Sequence, residues 1–243
     1  MESQLRIFAG IEQLNQAAAE LWLSLAQQAI AQRGSFHIAL SGGSTPKLLY
    51  QRIATLANAE LLQHSHFYFG DERCVPPDHP DSNYRMAREA LFDRAAIPAA
   101  NIHRIDAELP AAQAAQRYQA LLQRQLPSVD GMGCFDLILL GMGEDGHTAS
   151  LFPGTTALSE QHNWVCANEV PQLHTWRITF SYPLINHARH VAILSAGAGK
   201  AEVMRQVHQH SQQPPYPIEN IRASHTLHWL LDHAAASRLE PQS

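Results

Sequence analysis

The chain is poor in several things before it is rich in any. It has three cysteines in 243 residues, Cys74, Cys134 and Cys166, widely spaced and without a Cys-x-x-Cys pair. An odd, scattered set excludes a disulfide framework or a cysteine zinc site, and is read as reduced, packed thiols. No window approaches ~18 uninterrupted apolar residues, and the opening MESQLRIFAG lacks a basic stretch followed by a long apolar one. Membrane spanning and export are therefore not expected; a cytoplasmic protein is. Positive charge is not in excess either, because 17 Lys and Arg face 22 Asp and Glu for a formal net charge of -5. General nucleic-acid binding needs a concentrated basic surface to displace counterions from phosphates, so no such partner is expected. An anionic small substrate would need local cations.

Further absences narrow the class. There is no internal repeat and no low-complexity linker; the proline-rich stretches VPPDHP and QQPPYPIEN lie too close to neighbouring elements to separate domains. Residues 1–243 are expected to form a single domain. There is no G-x-S-x-G elbow and no H-E-x-x-H, and the pairs His64/His66, His208/His210 and His225/His228 lack further ligands at a telling spacing. Neither a serine-elbow hydrolase nor a metal site is indicated.

What is present is a rhythm. Short apolar runs at FHIALS, HFYFG, FDLILLG, RITFS, HVAILSA and LHWLLD read as buried strands. Between them, IEQLNQAAAELWLSLAQQAIAQ, TPKLLYQRIATLA, SNYRMAREALF and AAQAAQRYQALLQRQL carry apolar residues at helical spacing. Such alternation predicts a parallel sheet with helices on both faces, and ligands in such sheets collect beyond the carboxyl ends of the strands.

Four strand-end loops carry unusual chemistry. In LSGGSTP, Gly42 and Gly43 allow close backbone approach, Ser41, Ser44 and Thr45 supply hydroxyls, and Pro46 suits the first helical position after a Thr45 cap, which together make an anion site. In GDERCVPPDHPDSNY, Arg73 is placed to fork onto a phosphate or carboxylate and Asp71 or Glu72 to hold a hydroxyl; Asp81, Ser82 and Asn83 read as helix caps. In LSAGAGK, Lys200 at a helix entrance adds a second positive charge, while the P-loop spacing fails at Leu194 and Ala201.

The loop GMGEDGHTASLFPG nominally satisfies the dinucleotide spacing G-x-G-x-x-G, with Glu169 at a suitable distance for a ribose acid. Three features oppose a nicotinamide cofactor: Glu144 and Asp145 would sit among the phosphates, Pro153 interrupts any long helix, and the loop comes midway along the chain. The alternative is catalytic. Three glycines permit a cramped turn that exposes His147, with Asp145 two residues earlier as an orienting partner; a neutral imidazole near its reference pKa of ~6.5 is a suitable base for water.

Taken together, ALSGGSTP, FGDERCVPPDHPDSNY, LILLGMGEDGHTASLFPG and GAGK resemble the 6-phosphogluconolactonase family, in this order and over most of the chain. The resemblance implies an α/β fold of one domain, a three-layer α/β/α sandwich with a modified Rossmann-like, mostly parallel sheet and no cofactor. It implies hydrolysis of 6-phospho-D-glucono-1,5-lactone in the oxidative pentose phosphate pathway, with a phosphosugar lactone as the small-molecule partner and no obligate protein partner. It further implies His147 as the base beside Asp145, and phosphate binding by Ser41 to Thr45 with Arg73, Lys200 and Arg177. A related deaminase activity is the alternative within the fold; there the stretch resembles D-G-H-I-A-F-N-E-P-G, and Phe152 stands here in place of the carboxylate before the proline. A non-catalytic sugar-phosphate-binding domain is the other alternative, which the presence of His147 disfavours.

Overall fold

A computed structural model describes residues 2–239 of the chain. In order, the first half contains β1 (Glu2–Phe8), α1 (Ile11–Arg33), β2 (Phe36–Leu40), α2 (Ser44–Leu56), α3 (Ala59–Gln63), β3 (Ser65–Phe69), β4 (Asp71–Arg73), α4 (Asn83–Ala87) and α5 (Ala111–Gln125). The second half contains β5 (Ser128–Val129), β6 (Met132–Gly133), β7 (Leu137–Leu140), β8 (Val165–Val170), β9 (Thr175–Phe180), α6 (Tyr182–His187), β10 (His190–Ser195), α7 (Ala201–Gln209) and β11 (Thr226–Asp232).

Six strands pair in parallel in the order β1-β11-β10-β7-β2-β3. Strands β2 and β7 are buried along their whole length, which is why FHIAL and LILL are unbroken apolar runs: packed layers cover both faces of the sheet. In α1, Leu14, Ala18, Trp22, Leu25 and Ala29 turn inward, and the small alanines let the helix lie close to the sheet while Trp22 meets the edge of Phe36 at 5.8 Å. Full burial of a side chain such as Leu14 or Phe36 contributes roughly 1.5–3 kcal/mol. The helix stops at Gly34, whose φ of 81° is left-handed backbone that favours glycine.

RITFS does not join this sheet. As β9 it lies in a separate antiparallel sheet of order β4-β9-β8, because β8 and β9 are joined by the short turn Pro171–Leu173, which leaves no room for the crossover a parallel pair requires. Gly70 joins the two sheets: its N–H donates to the Leu40 carbonyl (2.9 Å) and its own carbonyl accepts from Phe180 N–H (2.8 Å). The helical reading of SNYRMAREALF divides into α4 and a wider π-type turn, Arg88–Phe92.

The topology decides where a ligand goes. From β2 the chain steps outward to β3, whereas from β7 it steps the other way to β10, and β2 pairs directly with β7 through Ile38↔Leu137 and Ala39↔Ile138. The carboxyl ends of β2 and β7 therefore flank a topological switch point, the usual crevice of an open α/β sheet. Among the described residues, no helix is long and apolar enough to cross a membrane.

Candidate active site

The loop leaving β2 turns straight into a helix. Gly43 has φ 105° and ψ 169°, a conformation closed to ordinary side chains, and occupies the cap position; Ser44, Thr45 and Pro46 form the first turn of α2. The expected Thr45 cap is thus corrected by two residues, since proline fits throughout a first turn whose N–H groups have no intrahelical acceptor. The positive end of the helix thus begins directly after Gly43, which lines the crevice. Gly42 is packed so tightly that a Cβ there would fall 2.1 Å from Asn83 Oδ1.

The segment after β3 builds the opposite wall. Glu72, which the sequence offers as a hydroxyl ligand, is buried and structural: it accepts hydrogen bonds from the N–H groups of Arg73, Asn83 and Tyr84 (each 2.8 Å) and from Ser82 Oγ (3.1 Å). Burial pushes its carboxyl above the usual range, and those backbone donors only partly offset the push. Ser82 caps α4 by accepting from Arg85 N–H. Asn83 is no cap; its Nδ2 donates to the Asp71 carbonyl (3.0 Å) and Oδ1 (3.3 Å), while Ser150 Oγ donates to Asp71 Oδ2 (2.6 Å). Asp71 is thereby fixed at the crevice.

Arg73 and Arg177 stand directly opposite each other in the β4–β9 register. Like charges so placed repel. Burial first, and then the Arg73 charge, lower the pKa of the Arg177 guanidinium. Both Nε atoms are buried without a hydrogen-bond partner among the described residues, although Arg73 Nη1 reaches the Asp81 carbonyl at 2.7 Å.

The loop after β7 presents the histidine. Gly143 N–H donates to the His147 carbonyl (2.8 Å), and a Cβ on Gly143 would lie 2.1 Å from His147 Nδ1. Gly146, at φ 72°, lies under Tyr216, whose ring would sit 2.3 Å from any added Cβ. His147 Nδ1 is 2.5 Å from Asp145 Oδ1, which also accepts the His147 backbone N–H at 3.2 Å. Burial would raise the Asp145 carboxyl, but the hydrogen bond and charge of His147, with local backbone N–H groups, outweigh it and hold the carboxyl below its ordinary value. With Nδ1 committed to Asp145, Nε2 is the ring nitrogen left to exchange a proton. Two residues on, Ala149 holds a left-handed φ of 48°, backbone strain of the kind that concentrates at functional sites.

These walls enclose a cleft of two adjoining lobes. The inner, about 220 Å³, is lined by Ser41, Gly42, Gly43, Lys200 and the Gly141–Gly143 turn; the outer, about 410 Å³, by Glu144, Asp145, Phe152 and Arg177. Asp71, Arg73, His147 and Ala149 belong to both. Ser44 and Thr45 lie on the first turn of α2 and line neither lobe. Sequence reasoning missed Ser150, Ala149 and the placement of Asn83; the only signal was that each lies within two or three residues of a residue already singled out.

A parallel α/β sheet whose switch-point crevice sets a carboxylate-held histidine between a glycine-rich helix start and three cations is the framework of an enzyme acting on a small anion. The chain belongs to the family described as glucosamine-6-phosphate isomerases/6-phosphogluconolactonase, whose model matches residues 10–229. The 6-phosphogluconolactonase of Nostoc sp. is 45% identical over 224 residues, covering 90% of this chain and 91% of that protein. That of Synechocystis sp. is 44% identical over 217 residues, covering 88% and 89%. The solved structure of 6-phosphogluconolactonase from Trypanosoma brucei matches with a TM-score of 0.87 at 31% identity, over 98% of this chain and 99% of that one.

Proposed function

We propose that this chain hydrolyses 6-phospho-D-glucono-1,5-lactone to 6-phospho-D-gluconate, a step of the oxidative pentose phosphate pathway, using water activated by His147. The observation that carries the reading is the position of His147: on the wall common to both lobes, tied to Asp145 through Nδ1, and in the same inner lobe as the Ser41–Gly43 loop and Lys200. The activity carried by the names of the relatives at 44% and 45% identity agrees with it.

In this mechanism the phosphate is held by the Ser41–Gly43 part of the Ser41–Thr45 helix start with Lys200, Arg73 and Arg177, at the opposite end of the substrate from the reacting carbon, so that binding energy orients the lactone. Asp71, fixed by Ser150 and Asn83, accepts from a sugar hydroxyl. His147 Nε2 takes a proton as water attacks the lactone carbonyl. The tetrahedral oxyanion collapses, the bond to the ring oxygen breaks, and His147 returns the proton to that oxygen while Asp145 stabilises the intervening imidazolium. Phe152 occupies the place where the related deaminases carry an acid, and a phenyl ring cannot transfer a proton.

The same reading treats the chain as one domain, supported by a hydrophobic core that runs from Leu14 to Ala236, and places it in the cytoplasm, in keeping with its three free cysteines. The test is the rate at which freshly made lactone disappears above its spontaneous hydrolysis. His147→Ala is expected to lower that acceleration by about 10²–10⁴-fold and to leave protection by inorganic phosphate intact. Full activity in His147→Ala would remove the proposed base.

A further inference from the structure

The imidazole of His147 has a second support besides Asp145. The Phe152 ring lies flat against it, with centroids 4.0 Å apart and planes 21° apart. We infer that Phe152 is a positioning residue of the hydrolysis: its face fixes the plane of His147 and so the direction in which Nε2 points. The inference rests on His147 being the base.

A single hydrogen bond does not orient an imidazole. With Nδ1 on Asp145 Oδ1, the ring can still hinge about that contact and carry Nε2 through an arc, on a loop where no helix or strand restrains the side chain. The flat contact removes that freedom. On the same side chain, the Gly143 backbone stands where an added Cβ would come 2.1 Å from Nδ1, so little room remains for the ring to retreat. Between Asp145, the Gly143 backbone and Phe152, one ring orientation is left.

Phe152 is itself anchored well enough to serve. It is 6% exposed, and its carbonyl accepts from both Thr155 N–H (3.2 Å) and Thr155 Oγ1 (2.8 Å). Thr155 Oγ1 in turn accepts from Asn168 Nδ2 at 3.0 Å, and Asn168 is fully buried on β8. The support therefore runs from a strand of the second sheet through Asn168, Thr155 and Phe152 to the imidazole. Phe152 also lines the outer lobe, so the residue that steadies His147 borders the space a substrate would occupy. An aliphatic side chain could fill this volume but would offer no flat face; the face is what the inference requires.

The experiment compares Phe152→Leu, Phe152→Met and Phe152→Tyr with the wild type, following lactone hydrolysis and the imidazole C–H resonances of His147 in a histidine-labelled sample. A ring stacked at this distance shifts those resonances upfield, and the signal is assigned by its loss in His147→Gln. In the Leu and Met variants kcat is expected to fall about tenfold or more, KM to stay within about threefold because the phosphate groups are untouched, and the resonances to move downfield. Phe152→Tyr keeps the ring, so it should retain most of the wild-type kcat and the upfield shift. Unchanged kcat in folded Leu or Met variants, a KM that rises as much as kcat falls, or resonances that do not move would each overturn the inference. Should the wild type fail to accelerate lactone hydrolysis at all, the proposed function fails while the resonances still report the stacking, so the two failures are separable.

Discussion

Replacing Asp145 by Asn tests how much of the chemistry lies in the pair and how much in the imidazole alone. Asn is nearly isosteric, so its Oδ1 can still accept the Nδ1 proton at the position where the carboxylate now sits, 2.5 Å away. The geometry is kept and the charge removed. A hydrogen bond to a charged partner contributes roughly 1.5–3 kcal/mol, but the Asp145 side chain is 45% exposed and that of His147 30% exposed, so solvent screens the pair and lowers the figure to about 1–2 kcal/mol. At 1.36 kcal/mol per decade this is a fall in kcat of roughly 5- to 30-fold. The loss belongs to kcat, because the interaction strengthens only once His147 takes the proton; KM should hold. The assay is proton release from freshly prepared lactone, corrected for the spontaneous rate. A kcat equal to wild type would refute the claim that Asp145 stabilises the imidazolium, and a fall as deep as that of His147→Ala would mean that the amide no longer holds the ring and that Phe152 and the Gly143 backbone add little to its orientation.

Other outcomes follow from the same structure. Gly42→Ala places a methyl 2.1 Å from Asn83 Oδ1; Asn83 should be driven off Asp71, lowering stability by about 1–3 kcal/mol for the broken buried hydrogen bonds and raising KM, whereas a fully stable variant with normal KM would contradict the packing. Stability should fall in acid: burial, with neighbouring charges, holds His37 at about 3 and His103 and His190 at about 4, below the ordinary 6.5. Because the unfolded chain takes up these protons and the folded chain does not, the stability they contribute is complete above about pH 6.5 and is lost as the pH drops towards the folded values, on the order of 2 kcal/mol at pH 5 from His37 alone. Urea midpoints that stay constant between pH 7 and 5 would count against these burials. Arg177→Met should leave the unliganded protein as stable or slightly more so, by roughly 0.2–1 kcal/mol once the opposed charge is gone, while the rise in melting temperature given by inorganic phosphate shrinks; an undiminished phosphate effect would place the anion elsewhere.

The parallel centre of the fold was legible because a strand buried on both faces has to be apolar at every residue, as FHIAL and LILL are. The same physics hid β1 and β8. Edge strand β1 mixes exposed and half-buried residues along ESQLRIF, and VCANEV carries polar groups that serve internal hydrogen bonds, such as Asn168 to the Ser150 carbonyl. RITFS looked like one more parallel strand since an apolar run does not encode its neighbour; the four-residue span between Val170 and Thr175 held that information. At the site, glycines and charged residues stood out because each is costly where it sits. Glu72 stood out for that reason too, yet its role is to hold the backbone of Asn83 and Tyr84, and no local pattern separates a carboxylate turned inward from one turned to a ligand. Ser150 is an ordinary letter whose role comes from a partner 79 residues away, and Phe152, legible as the replacement of an acid, gave no sign of the ring it stacks on.

The unevenness of hydrogen bonding across the cleft argues for what it receives. In the walls behind it, two buried polar side chains are satisfied within the chain: Glu72 gathers four donors, and Asn168 bridges Ser150 and Thr155. At its centre, Arg73 and Arg177 oppose each other with Nε atoms unpartnered among the described residues. A counter-ion is close at hand, since the Asp71 charge acts on Arg177. Yet hydrogen bonds from Ser150 and Asn83 hold the Asp71 carboxylate, and among the described residues neither arginine forms a salt bridge with it. Had Asp71 been free to close onto the arginines, the cations would be neutralised internally and an anion would have to compete with a tethered carboxylate. Holding that carboxylate back costs stability, because like charges and unpartnered donors are left standing. On the proposed reading, two guanidiniums without a carboxylate partner among the described residues face the anionic group, so that less of its binding energy is lost in displacing an internal counter-ion and more remains to align the far end of the molecule with His147.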